Sequence, residues 1–145
     1  MAKDLEVAMV FADVVGSTQL YEKFGDTKAS ETVASCLDIM KDATYQFNGT
    51  VIKTIGDEVM STFESVDDAM GAAVMMQTRI SEAGKKESGI PVSIRIGCHY
   101  GPVVQEQNDI FGAAVHTANR MTSQAKAKQI VISGHTVEQM SPELR

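Results

Sequence analysis

A strand pattern close to the N-terminus, from Leu5 to Ala12, sets the first limit on the fold. Every second residue of this segment is large and apolar: Leu5, Val7, Met9 and Phe11. Alternation with a period of two is typical of a β-strand that has one face in a hydrophobic core. Asp13 follows on the same face, where the pattern favours an aliphatic residue. Because a buried acid needs a partner, the segment predicts a core strand that ends at a polar centre.

The rest of the chain alternates helical and strand patterns. Helices are predicted from Gly16-Ser17-Thr18 onward, from about Thr27 to Phe47, after Ser65 with Asp68 as its capping partner, from Asp109 as cap to about Ser123 with Phe111 on the apolar side, and from Ser133-Gly134 to near Ser141-Pro142. Strands are predicted at Thr50–Ile55 and Glu58–Phe63 around a Gly56-Asp57 turn, at Val92–Tyr100, at Val103–Gln107 after a break at Gly101-Pro102, and at Gln129–Ile132. This order predicts an α+β fold, in which a ferredoxin-like, mostly antiparallel sheet carries helices on one face. The other face of the sheet needs a further cover.

Length and composition limit the classes of function. A chain of 145 residues forms one ordinary domain, and 43% hydrophobic with 22% charged residues describes a folded protein. The net charge of -6 has the wrong sign for a surface that follows nucleic-acid phosphates or anionic lipid. No apolar run approaches the ~18 residues of a membrane span, and Cys36 and Cys98 suggest neither a disulfide framework nor a zinc site. We therefore expect a cytoplasmic protein with no nucleic-acid or membrane partner.

Two acids, Asp13 and Asp57, stand where the pattern places strand ends. Two carboxylates from neighbouring strands could converge on a hard cation and leave positions open for water and substrate phosphates. Magnesium is the natural candidate. The alternative is that Asp57 only serves a Gly-Asp turn and that Asp13 caps the helix that follows.

The residues next to Asp13 bring a glycine and two hydroxyl groups, Gly16-Ser17-Thr18, to a predicted helix start. Free backbone N–H groups and the helix dipole favour an anion there, and a triphosphate fits. Ordinary helix capping uses the same residue types, so this motif has meaning only through its closeness to the acid.

Several cations interrupt apolar patterns. Lys53 and Arg95 lie on strands among aliphatic residues, and His116 and Arg120 are four apart on one helix face. The alternative for each is a solvent-exposed face or an ion pair within the chain, such as Lys53 with Glu58. His99 and His135 have no partners at metal-ligand spacing and are interpreted as structural residues.

Three ordered blocks resemble the catalytic domain of class III nucleotidyl cyclases, of the compact bacterial type. They are the run from Phe11 to Thr18, the hairpin segment Lys53-Thr54-Ile55-Gly56-Asp57, and the helix segment from Asp109 to Met121. The resemblance covers nearly the whole chain, from Val7 to about Ile132. The family domain continues into a closing strand pair that this chain lacks, so we expect residues 1–145 to be a catalytic domain within a longer protein that also carries a regulatory domain.

The resemblance implies roles for single residues. Asp13, Asp57 and the carbonyl of Val14 would hold two Mg²⁺ or Mn²⁺ ions in each site. The remaining assignments concern substrate: Lys53 and Asp109 for the purine, Arg95 for the β- and γ-phosphates, Arg120 for the charge that builds on the α-phosphate, and His116 where the family commonly has an asparagine that orients the ribose. In this family a head-to-tail homodimer shares its sites, because the metal acids come from one subunit and the base-reading pair and Arg120 from the other.

The activity that the resemblance implies is a lyase reaction of signal transduction, the conversion of ATP to 3′,5′-cyclic AMP and pyrophosphate. Adenine offers an amino donor to Asp109 and a ring acceptor to Lys53, whereas guanine reverses that pattern. Two alternatives stay open: a cyclase that acts on GTP or a pyrimidine triphosphate, and a cyclase-like module that binds nucleotide and dimerises without turnover. A calcium-binding structural domain is disfavoured, because two isolated acids fall short of the six to eight oxygen ligands that calcium prefers.

Overall fold

A computed structural model describes residues 2–85 and 89–144 of the chain. Within these residues the elements follow in the order β1 (Lys3–Val15), α1 (Ser17–Phe24), α2 (Asp26–Gln46), β2 (Thr50–Ile55), β3 (Glu58–Phe63), α3 (Val66–Gly84), β4 (Ser93–Glu106), β5 (Asp109–Phe111), α4 (Ala113–Gln124), β6 (Ile130–Ile132) and α5 (Gly134–Val137). The strands form one sheet in the order β2-β3-β1-β4-β5, and β6 pairs with β4. All pairings are antiparallel except the parallel pair of β4 and β6. The predicted α+β fold is confirmed.

One face of the sheet, here called the helix face, packs against α2 and α3. The even-numbered residues of β1, from Ala8 to Val14, belong to this core together with buried side chains of both helices, among them Met40 and Met76. A buried polar contact joins α2 to β3 within it, between the hydroxyl groups of Thr44 and Ser61, whose oxygens lie 3.1 Å apart. Both hydroxyls are buried and satisfied, so this face carries the main hydrophobic core.

The opposite face, here called the α4 face, carries the odd-numbered residues of β1. Val7, Met9 and Phe11 form a second buried cluster with Ala114 and Ala118 of α4. Small residues allow this close approach. A Cβ on Gly97 of β4 would collide with the backbone of α4 at Thr122. The helix α4 therefore supplies part of the further cover that the sequence calls for, and the sheet has helices on both sides.

The β2-β3 hairpin agrees with the sequence prediction at all four strand ends. Gly56 takes a positive φ of 61° in its turn, a conformation that glycine adopts without steric cost. The predicted cap of α3 is also confirmed, because the Ser65 hydroxyl accepts a hydrogen bond of 3.0 Å from the backbone N–H of Asp68.

Two local predictions around β4 are wrong. The Gly101-Pro102 pair does not interrupt the strand, which continues from Ser93 to Glu106. Pro102 lies opposite Glu6 of β1, in a stretch between the segments of β4 that pair with β6 and β5. Prolines are tolerated where a strand lacks a neighbour on one side.

Asp109 does not cap a helix, and Phe111 does not lie on a helix face. Both belong to the short strand β5, and α4 begins only at Ala113 after Gly112. The side chain of Asp109 accepts a hydrogen bond from its neighbouring backbone N–H at Ile110, which holds the carboxylate at the strand start. Phe111 is 53% exposed.

The two cysteines are both free, in agreement with the absence of a disulfide framework. Burial raises the pKa of Cys36 to about 11 and that of Cys98 to about 12, so both are inert core thiols.

His99 has a structural contact, a hydrogen bond of 2.7 Å between its Nδ1 and the Ser133 hydroxyl. α5 ends at Val137, earlier than the predicted end near Ser141. No helix among the described residues is long and apolar enough to span a membrane.

Candidate active site

A row of charged side chains crosses the end of the α4 face. In the strand register Glu58 of β3 lies opposite Asp13 of β1, and Asp13 lies opposite Arg95 of β4. The Nε and Nη2 atoms of Arg95 both lie 3.2 Å from Oδ2 of Asp13. The Asp13 side chain is 17% exposed, so this ion pair is partly shielded from water. The alternation of side chains in β1 thus places Asp13 on the α4 face. The register between β1 and β4 places its partner, Arg95, opposite it.

Asp57 lies beside Asp13, as the hairpin turn brings it back to the end of β1. The backbone N–H of Val14 donates to the carbonyl of Asp57 at 3.3 Å, which holds the turn against the strand. Burial, a hydrogen bond with the Asp57 carboxyl and the charge of that group raise the pKa of Asp13 to about 6, although Arg95 acts in the opposite direction. Two carboxyl groups therefore converge at this end of the sheet.

These two acids have the donor chemistry of a hard-cation site. Carboxylate oxygens suit Mg²⁺ and Mn²⁺, and such ions keep positions for water, backbone carbonyls and substrate phosphates. Within residues 2–85 and 89–144 no group of three or more His, Cys, Asp or Glu side chains is arranged to hold a metal ion. Arg95 balances part of the charge of the two acids through its ion pair with Asp13.

Glu58 is a member of the row that the sequence analysis did not assign to the site. Burial raises its pKa to about 7, and the negative charge of Asp13 adds to this effect. The sequence gives only a weak signal for Glu58, because its position opposite Asp13 depends on the pairing of β1 with β3. Glu58 does not pair with Lys53, so the ion pair considered for these two residues is wrong.

Lys53 pairs instead with Asp109, which is 56 positions further along the chain. The Nζ atom of Lys53 lies 2.8 Å from Oδ2 of Asp109, and the two side chains are 43% and 29% exposed. The hydrogen bond from Lys53 lowers the pKa of Asp109 below its ordinary range. This pair connects β2 with β5, two strands at opposite ends of the sheet order. An ammonium donor and a carboxylate acceptor therefore stand side by side at an open surface.

The segment after Asp13 forms a helix start with free backbone donors. Gly16 has a positive φ of 72°, α1 begins at Ser17, and no side chain caps it. The first N–H groups of a helix have no partner inside the helix, so those at Ser17 and Thr18 are not used by the hydrogen bonds within α1. The strand-to-helix turn places these donors next in sequence to Asp13.

His116 and Arg120 lie on α4, and both are exposed. Neither makes a hydrogen bond or an ion pair with Asp13, Asp57 or Lys53 in the part of the chain that the structure describes. The structure brings the acids together with Arg95, and Lys53 together with Asp109, whereas His116 and Arg120 form no ion pair with any of the residues that the structure describes.

A family model for the adenylate and guanylate cyclase catalytic domain matches residues 1–144. The chain belongs to this family. An adenylate cyclase of Streptomyces griseus is 32% identical to this cyclase domain over 124 residues, which are 86% of this chain and 30% of that protein. The cyclase domain spans about a third of the length of that protein and of an adenylate cyclase of Streptomyces coelicolor, and less than a tenth of the length of several other curated relatives.

Solved structures agree with the cyclase fold. The catalytic core of a rhodopsin-guanylyl cyclase with converted specificity, in complex with ATPαS, superimposes with a TM-score of 0.87 at 27% identity and covers 98% of this chain and 85% of that one. A non-canonical dimeric guanylyl cyclase domain from the aquatic fungus Blastocladiella emersonii gives a TM-score of 0.82 at 27% identity, over 94% of this chain and 84% of that one. Adenylate and guanylate cyclases are thus both among its relatives.

Proposed function

We propose that this domain converts ATP to 3′,5′-cyclic AMP and pyrophosphate at sites shared between two subunits. The observation that carries the choice of ATP is the contact between Lys53 and Asp109. An ammonium donor beside a carboxylate acceptor matches the edge of adenine, which offers a ring nitrogen acceptor next to an amino donor. Guanine presents an oxygen acceptor and a ring N–H donor at the same positions and would oppose both groups.

Asp13 and Asp57 would hold Mg²⁺ or Mn²⁺, with the carbonyl of Val14 as a further oxygen ligand. The convergence of two carboxyl groups with one guanidinium supports this role, because the pair lacks full charge compensation. When bound, divalent ions lower the pKa of the ribose 3′-hydroxyl and stabilise the charge on the leaving pyrophosphate.

The residues of the chain would then position the triphosphate. Arg95 lies next to the acids and can bind the β- and γ-phosphates through its planar guanidinium. The free N–H groups at Ser17 and Thr18, after Gly16, provide further donors to phosphate oxygens. These groups orient the α-phosphate for in-line attack by the 3′-hydroxyl.

Arg120 and His116 would act from the second subunit. Both are exposed on α4 and have no carboxylate partner among the described residues. In a head-to-tail dimer, Arg120 of the partner subunit would stabilise the charge that develops on the α-phosphate, and His116 of the partner subunit would donate a hydrogen bond to the ribose.

The first test measures product directly. The chain is incubated with ATP, GTP or CTP and Mn²⁺ or Mg²⁺ over a wide range of protein concentrations, and cyclic nucleotides are quantified by mass spectrometry. We expect cyclic AMP to dominate, with an activity per subunit that rises with protein concentration, as a shared site requires. Faster formation of cyclic GMP would assign another substrate. ATP binding without any cyclic product would reduce the domain to a nucleotide-binding module.

The second test concerns the shared site. Asp57→Ala and Arg120→Ala homodimers should each be nearly inactive, because every site then lacks one essential group. After random exchange of equal amounts, about half of the dimers are mixed and each has one intact site, so about a quarter of the wild-type activity should return. Two inactive variants that exchange subunits and stay inactive would show that each site lies within one chain.

A further inference from the structure

The ion pair of Arg95 with Asp13 has an unusual geometry. Two nitrogens of the guanidinium, Nε and Nη2, share the single oxygen Oδ2, each at 3.2 Å. The stronger arrangement uses two parallel bonds to two different oxygens, at about 2.7–2.9 Å. The second oxygen of Asp13 remains outside this pair, on a carboxyl group that also contacts Asp57.

A second arginine pair in the same chain gives the contrast. Arg79 of α3 approaches Asp42 of α2 to 2.6 Å, although their side chains are 39% and 49% exposed. The pair at the acids is longer, yet it is more shielded, since Asp13 is only 17% exposed and Arg95 34%. Shielding strengthens any charge interaction there, while the long contacts leave Arg95 less firmly bound than its position would allow.

Arg95 occupies one of the two carboxylate oxygens that Asp13 could offer to a divalent cation. A cation held between Asp13 and Asp57 would compete with the guanidinium for the charge of the Asp13 carboxylate and would repel the guanidinium at a distance of a few ångströms. Without either cation, two neighbouring carboxylates would stand uncompensated in a partly buried position, which is costly. In the nucleotide-free chain Arg95 therefore supplies the positive charge that Asp13 needs.

We propose that Arg95 is the resident counter-ion of Asp13 in the nucleotide-free chain and exchanges its place with the divalent cation when the site is loaded. The released guanidinium is then free to bind the triphosphate. This inference rests on the proposed function for the identity of the ligands. It makes cation binding and triphosphate binding cooperative, because the first step removes Arg95 from its internal partner and the second uses it.

The test measures Mn²⁺ alone, by the loss of the free-ion signal in electron paramagnetic resonance, on the full chain without nucleotide. Arg95→Gln should bind Mn²⁺ at least about fivefold more tightly than the wild type, because the competitor is gone. Arg95→Lys keeps the charge and loses the fork, so its affinity should lie between the two. Arg79→Gln removes the other arginine pair and is the matched control, with unchanged Mn²⁺ affinity.

The second readout is the affinity for 3′-deoxy-ATP at saturating Mn²⁺, since this analogue cannot cyclise. Arg95→Gln should bind it at least about fivefold more weakly, so the two affinities change in opposite directions. A purely structural arginine would weaken both affinities together with thermal stability. Unchanged Mn²⁺ affinity in both folded Arg95 variants would overturn the exchange and leave Arg95 as a phosphate ligand only.

The two levels of the argument fail separately. If the wild type forms cyclic AMP but the Arg95 variants bind Mn²⁺ no more tightly, the exchange is wrong and the proposed function stands. If the Arg95 variants bind Mn²⁺ more tightly and no cyclic nucleotide forms under any condition, the exchange stands and the cyclase activity is wrong.

Discussion

The two faces of the sheet are built from the same strands and differ in what they bury. On the helix face the side chains of Met40, Met76 and Ile94 are fully buried, and the buried hydroxyls of Thr44 and Ser61 satisfy each other. The α4 face carries the apolar cluster around Met9 and, in addition, two ion pairs, Asp13 with Arg95 and Lys53 with Asp109. These charged groups keep between 17% and 43% of their surface exposed where they form ion pairs.

The difference follows from the cover that each face receives. Two long helices, α2 and α3, close the helix face, and a charge there would be buried without water. The α4 face is covered by one helix of 12 residues, so the strand ends beyond it remain open. Because the side chains of a strand point alternately to its two faces, a shift of one position along β1 moves a side chain from the helix face to the α4 face. The helix face therefore stabilises the fold, and under the proposed function the charged groups of the α4 face provide the chemistry.

The largest loss of activity is expected from a change at Asp57, on the α4 face. Asp57→Asn should reduce cyclase activity by about a thousandfold or more, because a divalent ion that stabilises the transition state by several kcal/mol loses a charged ligand. Thermal unfolding should change little, since the backbone carbonyl that accepts from Val14 remains. Asp38→Asn, an exposed acid of α2, is the control and should retain full activity. Activity close to wild type in Asp57→Asn would remove Asp57 from the mechanism.

The helix face should respond in stability and not in chemistry. Met76 is fully buried, so Met76→Ala should lower the free energy of unfolding by about 2–5 kcal/mol. Val74→Ala lies on the same helix at 55% exposure and should change it by less than about 0.5 kcal/mol. Denaturant unfolding measures both variants. The comparison between the faces would be wrong if Met76→Ala were as stable as Val74→Ala.

The choice between ATP and GTP tests the role of Lys53 and Asp109 on the α4 face. Combining Lys53→Glu with Asp109→Cys exchanges a donor and an acceptor and suits guanine better than adenine. The ratio of kcat/KM for ATP to that for GTP should fall by about 10- to 100-fold, as a change of a few kcal/mol implies. Arg79→Gln with Asp42→Asn removes an ion pair between helices and should leave the ratio unchanged. An unchanged ratio in the folded Lys53 and Asp109 variant would exclude these residues from base recognition.

The smallest effect is a pH dependence of stability at His99. Burial, followed by the charge of His135, lowers the pKa of His99 below its ordinary value of 6.5. The unfolded chain therefore takes up a proton more readily than the folded one, so this contribution to stability is complete above about pH 6.5 and declines as pH falls below it. His99→Gln should flatten the slope of the melting temperature between pH 7 and pH 5.

The control for that slope is His116→Gln, which changes an exposed histidine on α4. Its melting temperature should follow the wild type across the same pH range. If His99→Gln and the wild type lose stability in parallel, His99 does not contribute to the pH dependence.

Local sequence patterns determined a large part of this protein. The hairpin ends, the cap at Ser65 and the position of Asp13 on the face of Met9 and Phe11 follow from alternation, turn residues and hydrogen-bonding groups within a few positions. The predicted end of the first strand at Ala12 is wrong, because β1 continues through Asp13 to Val15. These features depend on contacts that neighbours in the chain make with one another, so their signals lie in short segments. The same segments carry the motifs that mark the cyclase family.

Tertiary structure alone decided the partners of the charged residues. Asp109 has the sequence signature of a helix cap, yet it starts β5 and meets Lys53 across 56 positions. Glu58 lies in the row of Asp13 only because of the register between β3 and β1. The strand β4 continues through Pro102 because β1 pairs with it from Ser93 to Gln105. Strand register and long-range pairing depend on the packing of the entire sheet, and a local pattern that is compatible with a cap or a break cannot specify them.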